Sequence, residues 1–428
     1  MISQVVFLIL FGTAVYFFVK NIGKIRRNIL LGKDQNLTDN KSARWRNMTL
    51  MALGQKRMFD RPVSAFFHIL IYVGFILINL EVLEIFIDGA AGTHRFFEEY
   101  LGDFYFFLIG FFEVLALGVF AAAVAFLARR YITKVPRLRH PDLEGFPVKD
   151  ATLILVIELV LMGAVLIMNI TDVELQSQAW LPVSMWFAPF VETMDASSLH
   201  SIERFAWWSH LVGILLFLNY LPFSKHFHII TAFPNTWYAN LNPKGKFENM
   251  ASVQQEVTLM MDPSAQPPDG YEPPTSFGVK DVFDLSWKNL LDAYSCTECG
   301  RCTSVCPANT TGKLLSPRRV VMQVRDRLEE VGRNIDKHGN DFKDDKDLHS
   351  YISAEELWAC TTCNACVQAC PVQINPMEII YDMRQYLVME KSEAPTELNG
   401  MFTNLENNGA PWQFSAMDRG NWAKDINL

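Results

Sequence analysis

Five long apolar runs occupy the first half of the chain, near residues 3–20, 64–87, 104–128, 151–170 and 205–229. Each run is long enough to form a helix across a hydrocarbon core of about 30 Å, which takes about 20 residues. The last run changes character near Pro222. The pattern predicts an all-α fold in which a five-helix transmembrane bundle, residues 1–230, precedes a separate helical domain.

The charges between these runs predict the orientation of the bundle. Lysine and arginine are concentrated in residues 20–61 and 129–149, whereas residues 88–103 and 171–204 are acidic and poor in both. Because basic loops stay on the cytoplasmic side, we expect the N-terminus outside and the C-terminal half inside. The first run has no basic segment before it and no small-residue cleavage site, which is typical of an anchor. The protein is therefore expected to be a multi-pass protein of the cell inner (plasma) membrane.

All eight cysteines lie in two runs of the form Cys-x-x-Cys-x-x-Cys-x-x-x-Cys-Pro. Bacterial ferredoxins hold [4Fe–4S] clusters with this spacing, and the fourth cysteine of each run binds the other cluster. The spacing predicts a first cluster, at cluster site 1, held by Cys296, Cys299, Cys302 and Cys370. It predicts a second cluster, at cluster site 2, held by Cys360, Cys363, Cys366 and Cys306.

Two other uses of cysteine fit the pattern less well. Zinc sites usually take pairs of Cys-x-x-Cys or Cys/His sets, and they do not need a third and a fourth Cys followed by Pro. A disulfide framework suits a small secreted domain. Here the cysteines are expected on the reducing, cytoplasmic side of the membrane, so two iron–sulfur clusters are the preferred interpretation.

Each cysteine run is expected to lead into a helix, because Ser316-Pro317 and Asn375-Pro376 are N-cap and first-turn signals. The runs are separated by 53 residues, which is long for a compact ferredoxin with short hairpins. The gap favours an all-helical ferredoxin domain, placed at residues 286–395. The proline-rich stretch 231–285 is expected to be a linker, and residues 396–428 a tail that docks a partner.

The histidines of the membrane half are spaced for a cofactor. His210 and His228 are 18 residues apart, which is five turns of a continuous helix. Both would then face one side, about 27 Å apart. His68 would lie at the depth of His228, as a bis-histidine haem b requires. His210 faces Ile78 instead of a histidine, so a second haem is left open, and His226 is interpreted as a polar residue at a helix end.

Carboxylates inside the predicted spans suggest a further site. Glu81 and Glu113 both fall in the outer half of the bundle. A carboxylate in lipid costs several kcal/mol unless it is protonated, paired or hydrated. One hypothesis is that Glu81 or Glu113 handles protons for a quinone site.

The membrane half resembles the gamma subunit of respiratory nitrate reductases. The resemblance lies in Ser64–His68 with the apolar residues that follow, and in the segment from His210 to His228 with its 18-residue spacing. It implies an inner haem b held by His68 and His228. The outer haem of that family uses a second histidine ten residues further along, where this chain has Ile78.

The cysteine-rich half is similar to the ferredoxin subunit of heterodisulfide reductases and related oxidoreductases of anaerobes. The likeness lies in Cys296-Thr-Glu-Cys-Gly-Arg-Cys and Cys360-Thr-Thr-Cys-Asn-Ala-Cys. In such systems a cytochrome b part exchanges electrons with menaquinone. The tail, 405–422, resembles the segment that joins this ferredoxin to cysteine-rich CCG domains in larger relatives. The resemblance implies a separate cytoplasmic CCG-domain protein, or an electron-transferring flavoprotein, as partner, with Trp412 and Trp422 as docking residues.

Together these features predict a membrane-anchored electron-transfer subunit. It would pass electrons between a cytoplasmic iron–sulfur or flavoprotein partner and the menaquinone pool through two [4Fe–4S] clusters and haem b. The sequence contains no nucleophile constellation, G-x-G-x-x-G fingerprint or P-loop, so independent catalysis on a soluble substrate is not expected. No nucleic-acid partner is expected either. The alternatives are a redox sensor, which would normally carry an output module, and a scaffold, which would not need aligned histidines.

Overall fold

A computed structural model describes residues 1–243, 245–247, 249–413, 415–424 and 426. Apart from an isolated bridge between Lys33 and Ser286, these ranges contain helices, turns and irregular segments and no β-strand. The predicted all-α class is therefore confirmed.

Among the described residues, five helices are long and apolar enough to cross a membrane. They are called spans 1 to 5 and comprise Ile2–Ile29, Pro62–Ala91, Asp103–Tyr131, Phe146–Thr171 and Ala196–Phe223. The predicted number of spans is confirmed, although spans 1 to 4 extend beyond both ends of their apolar runs and span 5 both begins and ends earlier than its run. Span 2 shows why, because Pro62 is suited to the first turn and the helix continues to Gly92, which ends it in a left-handed conformation with φ of 76°.

The spans pack mainly against their neighbours in the sequence. Span 2 packs on span 3, span 3 on span 4 and span 4 on span 5, while span 1 lies against spans 2 and 5. One apolar core joins spans 2, 3 and 4 around Ile109, Ala116 and Val165. Another joins spans 1, 2, 4 and 5 around Phe7 and Leu211. These cores fix the relative depth of the polar residues on each helix.

The α-helix of span 5 ends at Tyr220, earlier than the sequence predicted. Pro222 lacks the backbone N–H that would continue the helical hydrogen bonds, and the backbone of Ser224 is extended, with ψ of 150°. Short 3₁₀ turns lead from there to a new helix, His228–Trp237. The prediction that one continuous five-turn helix carries His210 and His228 is therefore wrong.

The connection between spans 4 and 5 enters the bundle. Leu181 is part of the core of spans 2 to 4. The Glu113 carboxylate accepts hydrogen bonds from the backbone N–H groups of Val183, at 2.8 Å, and Ser184, at 3.3 Å, and from the Ser184 hydroxyl. Irregular backbone at membrane depth must satisfy its polar groups within the protein, and Glu113 does this here. The buried carboxylate is thus an anchor for the connection.

Gly110 of span 3 allows this connection to approach the helix. A Cβ at this position would lie 2.2 Å from the carbonyl oxygen of Trp180. We expect Gly110→Ala to destabilise the bundle by about 1–3 kcal/mol, because overpacking forces the backbone to shift. Thermal unfolding in detergent, followed by circular dichroism, measures this. Gly163→Ala is the control, since its Cβ would meet nothing within 4 Å, and equal melting of the two variants would contradict the close approach.

The cysteine-rich half is built on three longer helices, Trp287–Ser295, Pro317–His338 and Pro376–Met389. The Ser316 hydroxyl accepts from the backbone N–H of Arg319, and the Asn375 side chain accepts from that of Glu378. Both predicted helix starts are therefore confirmed. The helices Pro317–His338 and Pro376–Met389 each follow one cysteine run, so the two halves of this domain repeat the same arrangement.

One apolar core connects the cysteine-rich half with the membrane half. Ile25 of span 1 and Phe227, which follows span 5, belong to it together with Ala232 and Val279. The stretch expected to be a linker thus contributes both of its ends to the core, while its middle carries the largely exposed helix Ala251–Met261. The ends of spans 1 and 5 that adjoin the cysteine-rich domain are therefore packed with it as one body.

The other described α-helices are short or lie in the tail. They are Lys41–Met48, Glu98–Leu101, Val173–Gln178, Ala188–Val191, Arg301–Ser304, Pro307–Thr310, Ala354–Trp358, Ala365–Ala369 and Thr396–Asn408. In the tail, Trp412 and Trp422 are exposed, as a docking role requires. The last residue of the predicted tail, Leu428, lies outside the described residues.

Candidate functional site

Cluster site 1 surrounds one small internal cavity. The cavity is lined by the four predicted ligands Cys296, Cys299, Cys302 and Cys370. The thiols of Cys302 and Cys370 interact electrostatically with other members of this set. The remaining lining is largely apolar, with Val321, Val372 and Ile374 among it. The fourth cysteine of the second run therefore lies with the first three of the first run.

The other four cysteines form a second group. Cys360 and Cys366 interact electrostatically with Cys306 and Cys363. Cys306 and Cys366 are buried, whereas Cys363 is exposed. The fourth cysteine of the first run thus lies with the first three of the second run, and cluster site 2 reaches the protein surface.

The two cysteine runs adopt the same backbone conformation. Glu298 and Gly300 are left-handed, with φ of 54° and 70°, and the matching residues Thr362 and Asn364 are left-handed with φ of 53° and 60°. These turns direct successive thiols inward. The backbone N–H of Thr362 also points at the Cys360 sulfur, at 3.4 Å. A non-glycine residue keeps a left-handed conformation only where the surrounding structure holds it there. The same conformation at matching positions indicates that the two cysteine runs form the same loop.

The thiols are spread around a volume larger than a single ion. Among the residues that the structure describes, no three His, Cys, Asp or Glu side chains converge closely enough to hold one metal ion. Zinc would require ligands about 2.3 Å from a common centre. Four thiols around a cavity suit the corners of a polynuclear cluster instead.

Arginines from the loops of the membrane half complete cluster site 1. Arg137 donates to the carbonyl oxygen of Cys299, and Arg57 donates to that of Cys370 at 2.7 Å. Arg301 is buried beside them and donates to the carbonyl oxygen of Arg57 at 2.7 Å. Burial lowers the pKa of Arg137 to about 10, so its guanidinium stays charged at neutral pH.

Glu298 ties the first cysteine run to the end of span 5. Its carboxylate pairs with Lys225 and with Arg325, the latter at 2.5 Å. Burial alone would raise the pKa of Glu298, but the two cations outweigh it and hold the pKa below its ordinary value. A charged, satisfied Glu298 therefore fixes the run against the membrane half.

His68 and His228 come together despite the break after span 5. The two side chains are close enough to interact electrostatically. Nδ1 of His228 lies 3.0 Å from the carbonyl oxygen of Lys225, and Nδ1 of His68 is buried without a hydrogen-bond partner. Because Nδ1 of His228 donates to the carbonyl oxygen of Lys225, the other ring nitrogen, Nε2, can bind a metal. The donor set therefore fits a bis-histidine haem.

His210 has a similar local arrangement in the outer half. It is 2% exposed, its Nδ1 lies 3.1 Å from the carbonyl oxygen of Leu161, and its Nε2 is buried without a partner. Ile78 is buried in the core of spans 2 to 4, as the sequence implied. His94 in the outer connection is engaged by Asp172 and Arg204.

Two links join cluster site 1 to the histidine pair, one electrostatic and one through an ion pair and a hydrogen bond. Arg301, next to Cys302, interacts electrostatically with His68. Lys225 pairs with Glu298 through its ammonium group and accepts from His228 through its carbonyl oxygen. Sequence reasoning missed Arg57 and Arg137, because the basic loops were already explained by topology. It also gave no role to Arg301 and Lys225, although both lie within the motifs that it singled out.

Comparison with known proteins identifies the cysteine-rich half. Residues 295–374 match the family model of the 4Fe-4S dicluster domain. The probable iron-sulfur-binding oxidoreductase FadF of Bacillus subtilis is 29% identical over 98% of this chain and 60% of its own length. The EtfAB:quinone oxidoreductase of Syntrophomonas wolfei is 26% identical over 87% of this chain and 53% of its own length. The chain thus spans little more than half the length of these relatives.

Shorter matches cover single parts of the chain. A probable membrane-anchored ferredoxin of Chromohalobacter salexigens is 32% identical over 35% of this chain and 25% of its own length. C subunits of heterodisulfide reductases match less than a third of the chain, which supports the resemblance seen in the sequence. No solved structure matches significantly. The five spans and the dicluster domain make this chain a membrane-anchored iron–sulfur protein of the electron-transferring oxidoreductase type.

Proposed function

We propose that this protein carries electrons between a cytoplasmic partner and the menaquinone pool. Cluster sites 1 and 2 each hold one [4Fe–4S] cluster, and His68 and His228 hold a haem b, as the likeness to nitrate reductase gamma subunits implies. The clusters and the haem supply one-electron chemistry when bound. The chain itself positions them, excludes water and sets their electrostatic surroundings.

The contacts between cluster site 1 and the histidine pair carry this proposal. Arg301 lies next to Cys302 and interacts electrostatically with His68, and Lys225 contacts both Glu298 and His228. A redox sensor or a scaffold would have no need for two cofactor sites linked in this way. The proximity supports transfer between the cluster and the haem without a further carrier.

The proposal includes the orientation of the protein in the membrane. The N-terminus faces outward, and the ferredoxin domain, residues 286–395, faces the cytoplasm. The partner, a CCG-domain protein or an electron-transferring flavoprotein, docks near cluster site 2, where Cys363 is exposed. An open groove beside this site includes Lys313 and Trp358 and borders the start of the tail. The name of the Syntrophomonas wolfei relative, which pairs EtfAB with quinone, supports such a partner and acceptor.

Glu81 is the preferred residue for quinone-linked proton handling. It lies buried in span 2, and its Oε2 has no hydrogen-bond partner. Glu113, the other candidate, is occupied by the connection between spans 4 and 5. Only Glu81 therefore retains a carboxyl oxygen that is available to a quinone oxygen.

A reduced spectrum of the purified full-length protein tests the proposed function. We expect dithionite to produce a haem b band, and a menaquinone analogue to re-oxidise it within seconds. The clusters are followed in the same samples by electron paramagnetic resonance. Absence of haem, or a reduced haem that menaquinone leaves unchanged, would contradict the proposal and leave the sensor and scaffold interpretations.

A further inference from the structure

The positive charge around the two cluster sites is unequal. Thiols of cluster site 1 interact electrostatically with four guanidinium groups, those of Arg57, Arg137, Arg301 and Arg325. Glu298 is the acidic residue that interacts with Cys296, and it is already paired with Lys225 and Arg325. The surroundings of cluster site 1 therefore carry an excess of positive charge.

Cluster site 2 has a weaker cationic environment. Arg384 interacts with Cys360 and donates to the carbonyl oxygens of Cys360 and Leu357, the latter at 2.9 Å. Its guanidinium also lies 5.0 Å from the ring centre of Trp358. Cys363 is exposed, so water screens charge on this side of the domain.

The arginines around cluster site 1 also repel one another. The Arg137 guanidinium interacts unfavourably with Arg61, Arg129 and Arg301. Asp60 interacts favourably with Arg301 and Arg57. Like charges in a partly buried setting destabilise each other unless a negative charge lies among them. A cluster with four thiolates is a polyanion, and each added electron increases its negative charge. Reduction of this cluster would therefore relieve the repulsion.

Burial of cluster site 1 disfavours reduction of its cluster, whereas the neighbouring arginines favour it. A buried site disfavours added charge, and exposure of cluster site 2 favours it. However, the low dielectric that penalises an isolated charge also strengthens its attraction to neighbouring cations. Arg57 and Arg137 donate to cysteine carbonyl oxygens of cluster site 1 and Arg301 lies beside them, whereas Arg384 alone makes such a contact among the described arginines at cluster site 2. This difference favours the attraction over the burial penalty at cluster site 1.

We propose that the cluster at cluster site 1 has the higher reduction potential, so that electrons run from cluster site 2 to cluster site 1. In each step the cluster at cluster site 2 loses one electron and the cluster at cluster site 1 gains it. The membrane is then the electron sink and the cytoplasmic partner the donor. This inference rests on the proposed function, to which it adds the direction of transfer.

Redox titration of the purified full-length protein, followed by electron paramagnetic resonance, tests this direction. We expect two cluster signals with separated midpoints. Arg137→Gln should shift the higher midpoint to a more negative potential and leave the lower one in place. Arg384→Gln should shift only the lower midpoint. Arg137→Lys keeps the charge and should hold the midpoint near its original value, and iron and sulfide analysis confirms that clusters are retained.

Several results would overturn the inference. If Arg137→Gln moved the lower midpoint, or neither midpoint, while both clusters were retained, cluster site 1 would not be the higher-potential site. If Arg137→Gln lost its clusters, Arg57→Gln would provide the same comparison. A protein with the expected midpoints whose haem is not oxidised by a menaquinone analogue would refute the proposed acceptor but not the order of the clusters.

Discussion

Cys370→Ser is expected to remove the same cluster as Cys299→Ser, although the two residues belong to different cysteine runs. Both thiols line the cavity of cluster site 1. A serine oxygen is a harder and weaker ligand for iron than a thiolate. The non-haem iron content should fall from about eight to about four atoms per chain, because each [4Fe–4S] cluster has four.

Cys306→Ser is the matched control, since it changes the corresponding cysteine of the other run. It should remove the cluster of Cys360 and Cys366, with which Cys306 interacts. Iron and sulfide analysis gives the loss, and electron paramagnetic resonance identifies the signal that remains. If Cys370→Ser and Cys299→Ser left different signals, the runs would bind clusters separately and the crossed arrangement would be wrong.

His228→Ala should abolish the inner haem b. The His228 ring is held by the carbonyl oxygen of Lys225, and it faces His68 across the bundle. Without it the iron would keep one axial histidine and lose the low-spin bis-histidine state. We expect a loss of at least half of the haem absorbance per chain, with the iron–sulfur content retained.

His226→Ala is the closest control for this variant. The His226 ring lies 5.5 Å from that of His228 and packs on Phe217 at 5.1 Å. The His226→Ala variant should keep the haem absorbance band, with a small shift in its wavelength. Loss of the haem in His226→Ala together with its retention in His228→Ala would reverse the ligand assignment. The haem-to-chain ratio of His210→Ala decides whether a second haem is bound in the outer half.

The main elements of the fold could be predicted from the sequence because local physics sets them. A helix that crosses a hydrocarbon core must be long and apolar, and each of the five apolar runs lies in such a helix. The helices after each cysteine run begin where Ser316 and Asn375 provide a cap. The spacing of the cysteines also predicted which thiols come together, since the motif itself determines the loop geometry.

The change of character near Pro222 was visible in the sequence, but the turn that follows it was not, because a distant residue organises this turn. Asp150 of span 4 accepts hydrogen bonds from the Tyr220 and Ser224 hydroxyls and from the Lys225 backbone N–H, at 2.5, 2.6 and 3.1 Å. These bonds stabilise a turn where helical spacing suggested continuity. His228 reaches His68 by this turn and not by helical periodicity.

The anchoring role of Glu113 was also invisible in the sequence. Its partners Val183 and Ser184 lie 70 and 71 residues away, in the connection between spans 4 and 5. A buried carboxylate in a span suggests proton chemistry until its partners are known. Only tertiary contacts distinguish an anchor from a proton carrier.

The contacts of Arg57 and Arg137 with the cysteine runs have a consequence for how the two halves of the protein pack. Both arginines bind carbonyl oxygens whose positions depend on the cluster loop being closed. Before iron is inserted, these guanidinium groups would face one another without a polyanion between them. We therefore expect loss of the cluster at cluster site 1 to loosen the packing of the cysteine-rich half against the loops that carry Arg57 and Arg137.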